Sequence, residues 1–494
     1  MGRIRPTVRI RTDVPIGRED ILPLAAAVGG SIATTQDLKM TRRLVIIGGD
    51  AAGMSAAAQL RRAKTAEEFE IVVFERSART SYAACGLPYL IAGFVKAPDN
   101  LVARTPEQHR AKGIDVRIRH EVTAIDVKAS AVTVRDLDSG LESTEGYDEL
   151  LISTGASGIS PPWPGIDAKG VLQLRTLDDA AEVERLLAGG ARRAVVVGAG
   201  YIGLEVAEAL LQRGLHVTVV ERLDAPMGAV LDADMAEDVA AAMKAAGIDL
   251  RLGTAVTGFT VGGDHVTAVE TESGPVEADL VVIGLGVRPN AELARAAGIG
   301  VGESGGIRVD HRLRTDAPHI WAAGDCVESH HRTSGRSVVV ALGTHANKQG
   351  RVVGTNMAGG DAAFGGVLGT AITRFREMEI ACTGLSERAA KAAGLDAIGV
   401  TTEASSRAHY YPGSEPMKIK LVVERGSGRL LGAQIVGGAG AGKRIDVLAT
   451  ALWNDMTVAE VGGMDLSYAP PFSPVWDPVL LAAGRAGLAV DAAR

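Results

Sequence analysis

Two stretches of the chain repeat one pattern, and this repeat constrains the fold more than any other feature. Each stretch begins with an apolar strand, at residues 44–47 and 194–197, that leads into a glycine-rich turn. A helix-periodic segment follows, and then a second apolar strand that ends at a glutamate, Glu75 or Glu221. Strand, turn, helix and strand in this order form a βαβ unit. The repeat therefore predicts an α/β fold that contains the same unit twice.

The turn of the second unit has the complete spacing for a dinucleotide. Gly198, Gly200 and Gly203 follow the pattern Gly-x-Gly-x-x-Gly. Such glycines let the backbone approach a pyrophosphate at the helix N-terminus, and the acid after the second strand accepts hydrogen bonds from a ribose. Glu221 disfavours a 2′-phosphate and so favours NADH, whereas the adjacent Arg222 would accommodate NADPH. Both nucleotides stay open.

The turn of the first unit departs from this spacing. Gly48 and Gly53 hold the outer positions, but Asp50 stands where the second glycine is expected. A carboxylate beside a pyrophosphate is electrostatically unfavourable, so either its side chain turns away or the phosphates lie on Gly49 and the helix amides. Glu75 still supplies the ribose acceptor. The alternative is a structural turn that binds no ligand.

The remaining texture divides the chain further. Alternating apolar residues at 114–147, among them Val116, Ile118, Val132 and Val134, predict antiparallel hairpins, as does residues 258–280. Short strands and one helix after residue 365 predict an α+β domain without a glycine turn. We expect a probably disordered extension at 1–40, a first nucleotide domain at 41–155 and 283–357, a second inserted at 156–282, and a dimerisation domain at 365–488.

Composition excludes several classes of function. The chain has 52 Lys and Arg against 59 Asp and Glu, a net charge of −7, which argues against binding nucleic acid or a membrane surface. No apolar run reaches the length of a membrane span. Three cysteines are too few for a secreted disulfide scaffold and favour a reducing, cytoplasmic location. His330 and His331 have no further ligand at metal-binding spacing, so no metal is expected.

A third segment gives the first unit its expected ligand. Residues 315–325 form a short apolar strand that ends on Gly324 and Asp325. With the two turns and Ser153-Thr154-Gly155, this segment resembles the FAD-dependent pyridine nucleotide-disulfide oxidoreductases over residues 41–488. The resemblance implies FAD on the first unit, NADH or NADPH on the second, and Asp325 at the flavin ribityl chain. The expected cofactor-binding residues are Gly48, Gly49, Ala52, Gly53, Glu75, Thr154, Gly155, Asp325, Gly198, Gly200, Gly203, Glu221 and Gly286.

A single cysteine follows the first unit. Two-cysteine members of the family carry Cys-x4-Cys there, whereas residues 81–89 of this chain contain only Cys85. The segment resembles the single-cysteine branch, which contains coenzyme A disulfide reductases, NADH oxidases and peroxidases, and persulfide reductases. Cys85 would open a short helix with Pro88 in its first turn, so we expect the helix dipole to lower the thiol pKa. Cys326 and Cys382 are expected to be buried and inert.

Further positions resemble the coenzyme A disulfide reductases. Gln59 and Arg62 match their Gln-x-x-Arg on the first helix, and Ser81 matches their serine, so these three are expected to bind substrate. Tyr468 and Tyr410, with Tyr411 as the alternative to the latter, match two C-terminal tyrosines. By the resemblance, these tyrosines are catalytic and complete the site of the other subunit, which implies a homodimer.

Two departures concern other members of this branch. Ala51 replaces the histidine that stabilises a cysteine sulfenate in the peroxidases, and Ala84 replaces an asparagine that some relatives carry before the cysteine.

The resemblance therefore implies a flavoprotein that passes electrons from NAD(P)H through FAD to Cys85. Cys85 would then reduce coenzyme A disulfide or a related small disulfide or persulfide. Two alternatives stay open, an NADH oxidase or peroxidase that uses a cysteine sulfenate, and a redox-responsive flavoprotein without turnover.

Overall fold

The computed structural model describes residues 41–493. The expectation for residues 1–40 lies outside this range. Up to residue 158 the helices and strands are β1 (Arg42–Ile47), α1 (Ala51–Ala63), β2 (Phe69–Glu75), α2 (Leu87–Ile91), α3 (Pro106–Arg110), β3 (Asp115–Ile118), β4 (His120–Asp126), β5 (Ala131–Asp136), β6 (Glu142–Gly146), β7 (Glu149–Ile152) and β8 (Ala156–Gly158).

The next elements, up to residue 283, are β9 (Val171–Leu172), α4 (Leu177–Ala188), β10 (Arg193–Val197), α5 (Tyr201–Gln212), β11 (His216–Val220), α6 (Ala233–Ala245), β12 (Asp249–Arg251), β13 (Val256–Gly262), β14 (His265–Thr271), β15 (Val276–Glu277) and β16 (Leu280–Ile283). They are followed by β17 (Val287–Pro289), α7 (Glu292–Ala296), β18 (Ile320–Ala322), β19 (Ser329–His330), β20 (Ser337–Val338) and α8 (Gly343–Met357).

The C-terminal elements are β21 (Ala371–Phe375), β22 (Met378–Gly384), α9 (Glu387–Ala392), β23 (Ala397–Ser405), β24 (Pro416–Glu424), β25 (Leu430–Gly437), α10 (Ile445–Trp453), α11 (Val458–Gly462) and α12 (Pro478–Ala492).

Two parallel sheets carry the repeated units. The first has the strand order β18-β7-β1-β2-β3, and the second has the order β12-β11-β10-β16-β9. The chain leaves the first sheet after β7, builds the second, and returns to the first with β18. Parallel strands need helical crossovers, which α1 and α5 provide directly after the glycine turns. The predicted α/β class with two Rossmann-like units is confirmed.

The C-terminal region has a different architecture. Its five strands form a mostly antiparallel-paired sheet with the order β21-β22-β25-β24-β23. α10 and α12 pack on this sheet through buried residues such as Leu448 and Ala482. The predicted α+β character of this region is therefore confirmed.

One strand assignment was wrong. Val116 and Ile118 were predicted to lie in an antiparallel hairpin, but β3 pairs in parallel with β2, with Val73 opposite Val116. The short helix α3 precedes β3 and returns the chain to the same end of the sheet. An alternating pattern indicates a strand but not its direction, which explains the error. Val132 and Val134 do lie in the antiparallel sheet β4-β5-β6.

Helices α1 and α8 pack at very short distance because small residues face each other. A Cβ atom on Gly350 would lie 2.2 Å from the carbonyl oxygen of Ala52, and one on Gly354 would lie 2.5 Å from that of Ala56. This contact places the beginning of α8 beside the first glycine turn. Among residues 41–493, no helix has the length and apolarity that crossing a membrane requires.

Candidate active site

A large cavity of about 2050 Å³ lies where the two nucleotide units and the C-terminal region meet. Its wall includes Cys85 and Asp325 from the first unit, and Lys443 and Trp453 from the C-terminal region. The second unit contributes most of the predicted nicotinamide-binding residues, namely Gly198, Gly200, Glu221 and Gly286. The fold therefore brings the predicted redox thiol and the second glycine turn to one space.

The second glycine turn has the geometry that a pyrophosphate requires. Gly198 has φ of +102°, and a Cβ on Gly203 would lie 1.9 Å from the Gly198 carbonyl oxygen. A Cβ on Gly200 would meet no protein atom within 4 Å, so the space in front of α5 is open. The carboxylate of Glu221 accepts hydrogen bonds from the N–H groups of Ala199, at 2.7 Å, and Leu223, at 2.8 Å.

The first glycine turn repeats this geometry. Gly48 has φ of +101°, and a Cβ on Gly53 would lie 2.1 Å from the Gly48 carbonyl oxygen. The carboxylate of Glu75 accepts hydrogen bonds from the N–H groups of Gly49 and Ser77, both at 2.8 Å. Ala52 lies at the buried beginning of α1.

Asp50 is the residue that distinguishes the first turn. It is the N-cap residue of α1, and burial raises the pKa of its carboxyl to about 6. The negative charges of Glu75 and Asp325 raise this pKa further, while the N–H groups of Tyr82 and Ala51 oppose the shift. Burial also raises the pKa of Asp325, and the positive charge of Arg175 opposes that rise. The first turn therefore combines a nucleotide-type backbone with excess negative charge.

Thr154 and Gly155 lie where β8 and β17 connect the two units. The Thr154 hydroxyl donates to the carbonyl of Asn290 at 2.6 Å, and the Asn290 side-chain amide donates to the Thr154 carbonyl at 2.9 Å. The Asn290 backbone N–H donates to Gly155. The reasoning from sequence missed Asn290, because nothing near it in the chain indicates a partner so distant.

Cys85 is an exposed free thiol on the cavity wall. It lies in a 3₁₀ turn, Ala84–Gly86, directly before α2. Burial of the sulfur raises its pKa, and the negative charges of Glu205, Asp325 and Asp50 raise it further. The expectation of a lowered pKa was therefore wrong, because α2 has only five residues and carboxylates face the thiol.

Glu205 is a further cavity residue that the reasoning from sequence missed. It lies on α5, one helical turn after Tyr201, and its carboxylate accepts a hydrogen bond from the Thr373 hydroxyl at 2.8 Å. Burial raises the pKa of Glu205. The two other cysteines are buried, as expected. The Cys326 thiol donates to backbone carbonyls, and the Cys382 sulfur lies 3.1 Å from the Tyr201 hydroxyl.

The three residues predicted to bind substrate already have partners within the chain. The Ser81 hydroxyl lies 3.0 Å from Nε2 of the buried His109, and Ser81 has φ of +52°. The Gln59 amide donates to the Thr355 hydroxyl at 3.2 Å, and Arg62 donates to the Gln59 side-chain carbonyl at 3.0 Å. Thr355 lines the cavity, so Gln59 and Arg62 lie behind its wall. No sequence signal indicated His109 or Thr355.

The predicted catalytic tyrosines meet each other on the C-terminal region. A hydrogen bond joins the hydroxyls of Tyr468 and Tyr410, and desolvation and this bond raise the pKa of Tyr468. The two residues are 49% and 66% exposed. Neither belongs to the described residues that line the Cys85 cavity of the same chain. Tyr411, the alternative to Tyr410, is 36% exposed.

Two family models match the chain. The model described as pyridine nucleotide-disulphide oxidoreductase matches residues 42–350, and that of the corresponding dimerisation domain matches residues 370–478. The chain belongs to the pyridine nucleotide-disulphide oxidoreductase family. It is an oxidoreductase that uses FAD and NAD(P)H, which confirms the predicted family, enzyme class and cofactors.

Three proteins illustrate where this family member is most similar. The NAD(P)H sulfur oxidoreductase (CoA-dependent) of Pyrococcus abyssi is 39% identical over 448 residues, which cover 90% of this chain and 98% of that protein. The coenzyme A disulfide reductase of Staphylococcus aureus is 34% identical over 435 residues, 87% of this chain and 96% of that one. The structure of an NAD-dependent persulfide reductase from A. fulgidus is 40% identical, has a TM-score of 0.89, and covers 91% of this chain and 84% of that one.

The residues present fit the two cofactors of the oxidoreductase. At each glycine turn, a Cβ on the third glycine would clash with the backbone, and a glutamate carboxylate is fixed by two N–H groups at the end of the second strand. This is the donor and acceptor set for a pyrophosphate and a ribose. Asp50 is the one element of the first turn that opposes an anionic ligand.

Proposed function

We propose that this oxidoreductase reduces coenzyme A disulfide or a chemically related small disulfide or persulfide, with Cys85 as its redox residue. The observation that carries the proposal is the position of Cys85, an exposed thiol on the wall of the cavity that also contains Asp325 and the second glycine turn. Cys326 and Cys382 are buried and have no comparable access to a substrate. The names of the related proteins support the same class of substrate.

The chemistry of Cys85 follows from thiol–disulfide exchange. The Cys85 thiolate attacks one sulfur of a substrate R–S–S–R′, so that the Cys85–S–S–R bond forms and R′–S⁻ leaves. A proton from Tyr468 neutralises the leaving thiolate. Two electrons and one proton then cleave Cys85–S–S–R into the Cys85 thiolate and R–SH. When bound, FAD supplies this electron pair from NAD(P)H.

The raised pKa of Cys85 has a role in this scheme. A thiol with a higher pKa is less ionised at neutral pH, but its thiolate is the stronger nucleophile. Glu205, Asp325 and Asp50 therefore restrict how much thiolate is present before the substrate arrives.

Nucleotide binding is assigned to the residues of the two turns. Gly48, Gly49, Ala52, Gly53 and Glu75, with Thr154, Gly155 and Asp325, would hold FAD. Gly198, Gly200, Gly203, Glu221 and Gly286 would hold the nicotinamide nucleotide. NADH is the preferred form, because Glu221 keeps a carboxylate fixed where a 2′-phosphate would lie.

The site would be completed by a second copy of the chain. Tyr410 and Tyr468 are bonded to each other and exposed, next to an apolar surface formed by Phe472, Val475 and Trp476, which are 73%, 69% and 70% exposed. Large apolar groups in this density indicate an interface between subunits. In the homodimer each pair of tyrosines would serve the cavity of the other subunit, and Gln59, Arg62 and Ser81 would contact the substrate at its mouth. We place the enzyme in the cytoplasm, where its three free cysteines stay reduced.

Steady-state kinetics tests this proposal. NAD(P)H oxidation is measured with coenzyme A disulfide, with a small persulfide, and with oxygen or peroxide as acceptor. We expect the sulfur acceptors to be preferred, Cys85→Ser to abolish turnover, and Cys382→Ser, the same exchange at a buried site, to retain it. Preference for oxygen or peroxide would establish the oxidase alternative, against which Ala51 in the first turn argues. A flavin that no acceptor reoxidises would establish the redox-responsive alternative.

Mass spectrometry of the purified, unreduced protein gives an independent result. An adduct with the mass of coenzyme A on the peptide that contains Cys85 is expected. An unmodified Cys85 together with rapid peroxide reduction would contradict the proposal.

A further inference from the structure

A lysine that the proposed mechanism does not use is buried in an ion-pair cluster between the second nucleotide unit and the C-terminal sheet. The side chain of Lys420, on β24, is 5% exposed. Its Nζ lies 2.7 Å from Oδ1 of Asp234, 2.5 Å from Oε2 of Glu387 and 3.4 Å from Oδ2 of Asp232. A buried ammonium group requires such partners because it has lost its hydration. The cluster therefore joins the beginning of α6 to β24 and α9.

Neutral groups on the C-terminal sheet fix the direction of the two aspartates. The Gln434 amide donates to Oδ2 of Asp232 at 2.7 Å, and the Asp232 backbone N–H donates back to the Gln434 side-chain carbonyl at 2.8 Å. The Thr401 hydroxyl donates to Oδ2 of Asp234 at 2.6 Å. Gln434 is 1% exposed, so this pair of hydrogen bonds is shielded from water. The contact between the two regions is thus specific in geometry as well as charge.

The cluster lies at the end of a segment that forms part of the cavity wall. Met227, Gly228, Ala229 and Val230 all line the cavity, and the chain reaches Asp232 two residues later. Arg388, which follows Glu387 on α9, donates to the carbonyl of Gly228 at 2.7 Å and to that of Ala229 at 3.2 Å. The C-terminal region therefore holds this wall segment both in its middle and at its end.

We propose that Lys420 is a positioning residue for the nicotinamide nucleotide. Through Asp232 and Asp234 it fixes the wall segment 227–230 and, with it, the place of the second unit above the cavity. Lys420 itself does not touch a reactant. The inference rests on the proposed binding of NAD(P)H at the second glycine turn, and it gives the C-terminal region a role in hydride transfer besides that of a dimer interface.

Charge explains why the lysine is the critical member. Three carboxylates surround one ammonium group, so removing any single carboxylate still leaves Lys420 paired. Removing the lysine leaves three negative charges close together, and their repulsion would push α6 away from α9 and β24. A small displacement of a bound reactant is enough to slow its reaction strongly.

The test separates the two half-reactions of the flavin-loaded enzyme. Flavin reduction by NAD(P)H is followed by stopped-flow absorbance without any acceptor, and reoxidation of chemically reduced enzyme by coenzyme A disulfide is followed separately. In Lys420→Met we expect flavin reduction to slow by roughly 10- to 100-fold, with reoxidation unchanged. Asp234→Asn, which leaves Lys420 paired with Asp232 and Glu387, is expected to give an intermediate loss.

Lys169→Met is the matched control. It removes a lysine of the second unit that pairs with Asp264, and the two side chains are 60% and 61% exposed, so both half-reactions should keep their wild-type rates. Equal rates for Lys420→Met and wild type would overturn the inference, as would a parallel loss of both half-reactions, which indicates a general structural defect. If Lys420→Met does not fold, Asp234→Asn and Glu387→Gln decide by the same criterion. Failure of the wild-type enzyme to accept electrons from NAD(P)H would instead contradict the proposed function.

Discussion

The two glycine turns offer a comparison of one backbone design in two electrostatic surroundings. In each unit the first turn glycine donates its N–H to the last part of the second strand, from Gly48 to Phe74 at 2.9 Å and from Gly198 to Val220 at 2.8 Å. In each unit the terminal glutamate also binds two N–H groups. The backbone solution is therefore shared.

The units differ at a single turn position, where Asp50 stands in the first and Gly200 in the second. Asp50 shares its surroundings with Glu75 and Asp325, whereas the space beside Gly200 is open. Turn geometry is thus not sufficient to describe a nucleotide site. The charge that the turn carries must be considered as well.

The largest effect is expected from the third glycine of the turn. A Cβ on Gly203 would lie 1.9 Å from a backbone oxygen that cannot move without opening the turn, so Gly203→Ala should lower the free energy of unfolding by about 3 kcal/mol. Gly200→Ala adds the same methyl group to open space and should leave the free energy of unfolding unchanged while weakening NAD(P)H binding. Chemical denaturation and nucleotide titration of both variants check this. Equal stability of the two would refute the shared design.

The charge difference is tested by Asp50→Gly, which gives the first turn the residue of the second. Because the pKa of Asp50 is raised to about 6, its folded form binds a proton more readily than its unfolded form. A negative pyrophosphate favours the protonated carboxyl further, so FAD affinity should fall as the pH rises through about 6. The variant should lose this dependence and retain FAD roughly tenfold better at pH 8.

Flavin release, followed by fluorescence between pH 5 and pH 8, measures the effect of Asp50. Asp50→Asn serves as the control, because it keeps the size of the side chain and removes only its charge. If both variants show the wild-type pH dependence, another group is responsible.

Nucleotide preference should respond to the acid of the second unit. Glu221→Gln removes the charge that opposes a 2′-phosphate, so the ratio of kcat/KM for NADH to that for NADPH should fall by roughly tenfold. Glu75→Gln makes the same change in the first unit and should lower FAD retention without changing this ratio. An unchanged ratio in Glu221→Gln would show that Arg222 or another group controls the choice.

The success of reasoning from sequence depended on how local the cause is. Both turns, their glycines and their glutamates could be predicted, because a βαβ unit is specified within about thirty residues. The direction of β3 could not, because alternation at Val116 and Ile118 does not encode a partner strand. Asn290, His109 and Lys420 escaped notice, since each acts through residues far away in the chain.

The pKa of Cys85 illustrates the same limit. The local segment indicated only α2 and its dipole, and so predicted a lowered pKa. The opposing charge of Glu205 comes from α5, in the other unit, and only the fold brings it to the thiol. Electrostatics at this site is a property of the assembled cavity.

The smallest expected effect joins the two units through Glu205. Its negative charge opposes ionisation of Cys85, so Glu205→Gln should lower the thiol pKa, shift the alkylation profile to lower pH, and raise the rate of alkylation at pH 7 by roughly threefold. Glu208→Gln is the matched control, because Glu208 lies on the same helix but contributes little to the pKa of Cys85. Alkylation by iodoacetamide, measured over a range of pH on both variants, separates the two carboxylates. An equal shift in both would mean that the charge of α5 as a whole, rather than the position of Glu205, restrains the thiol.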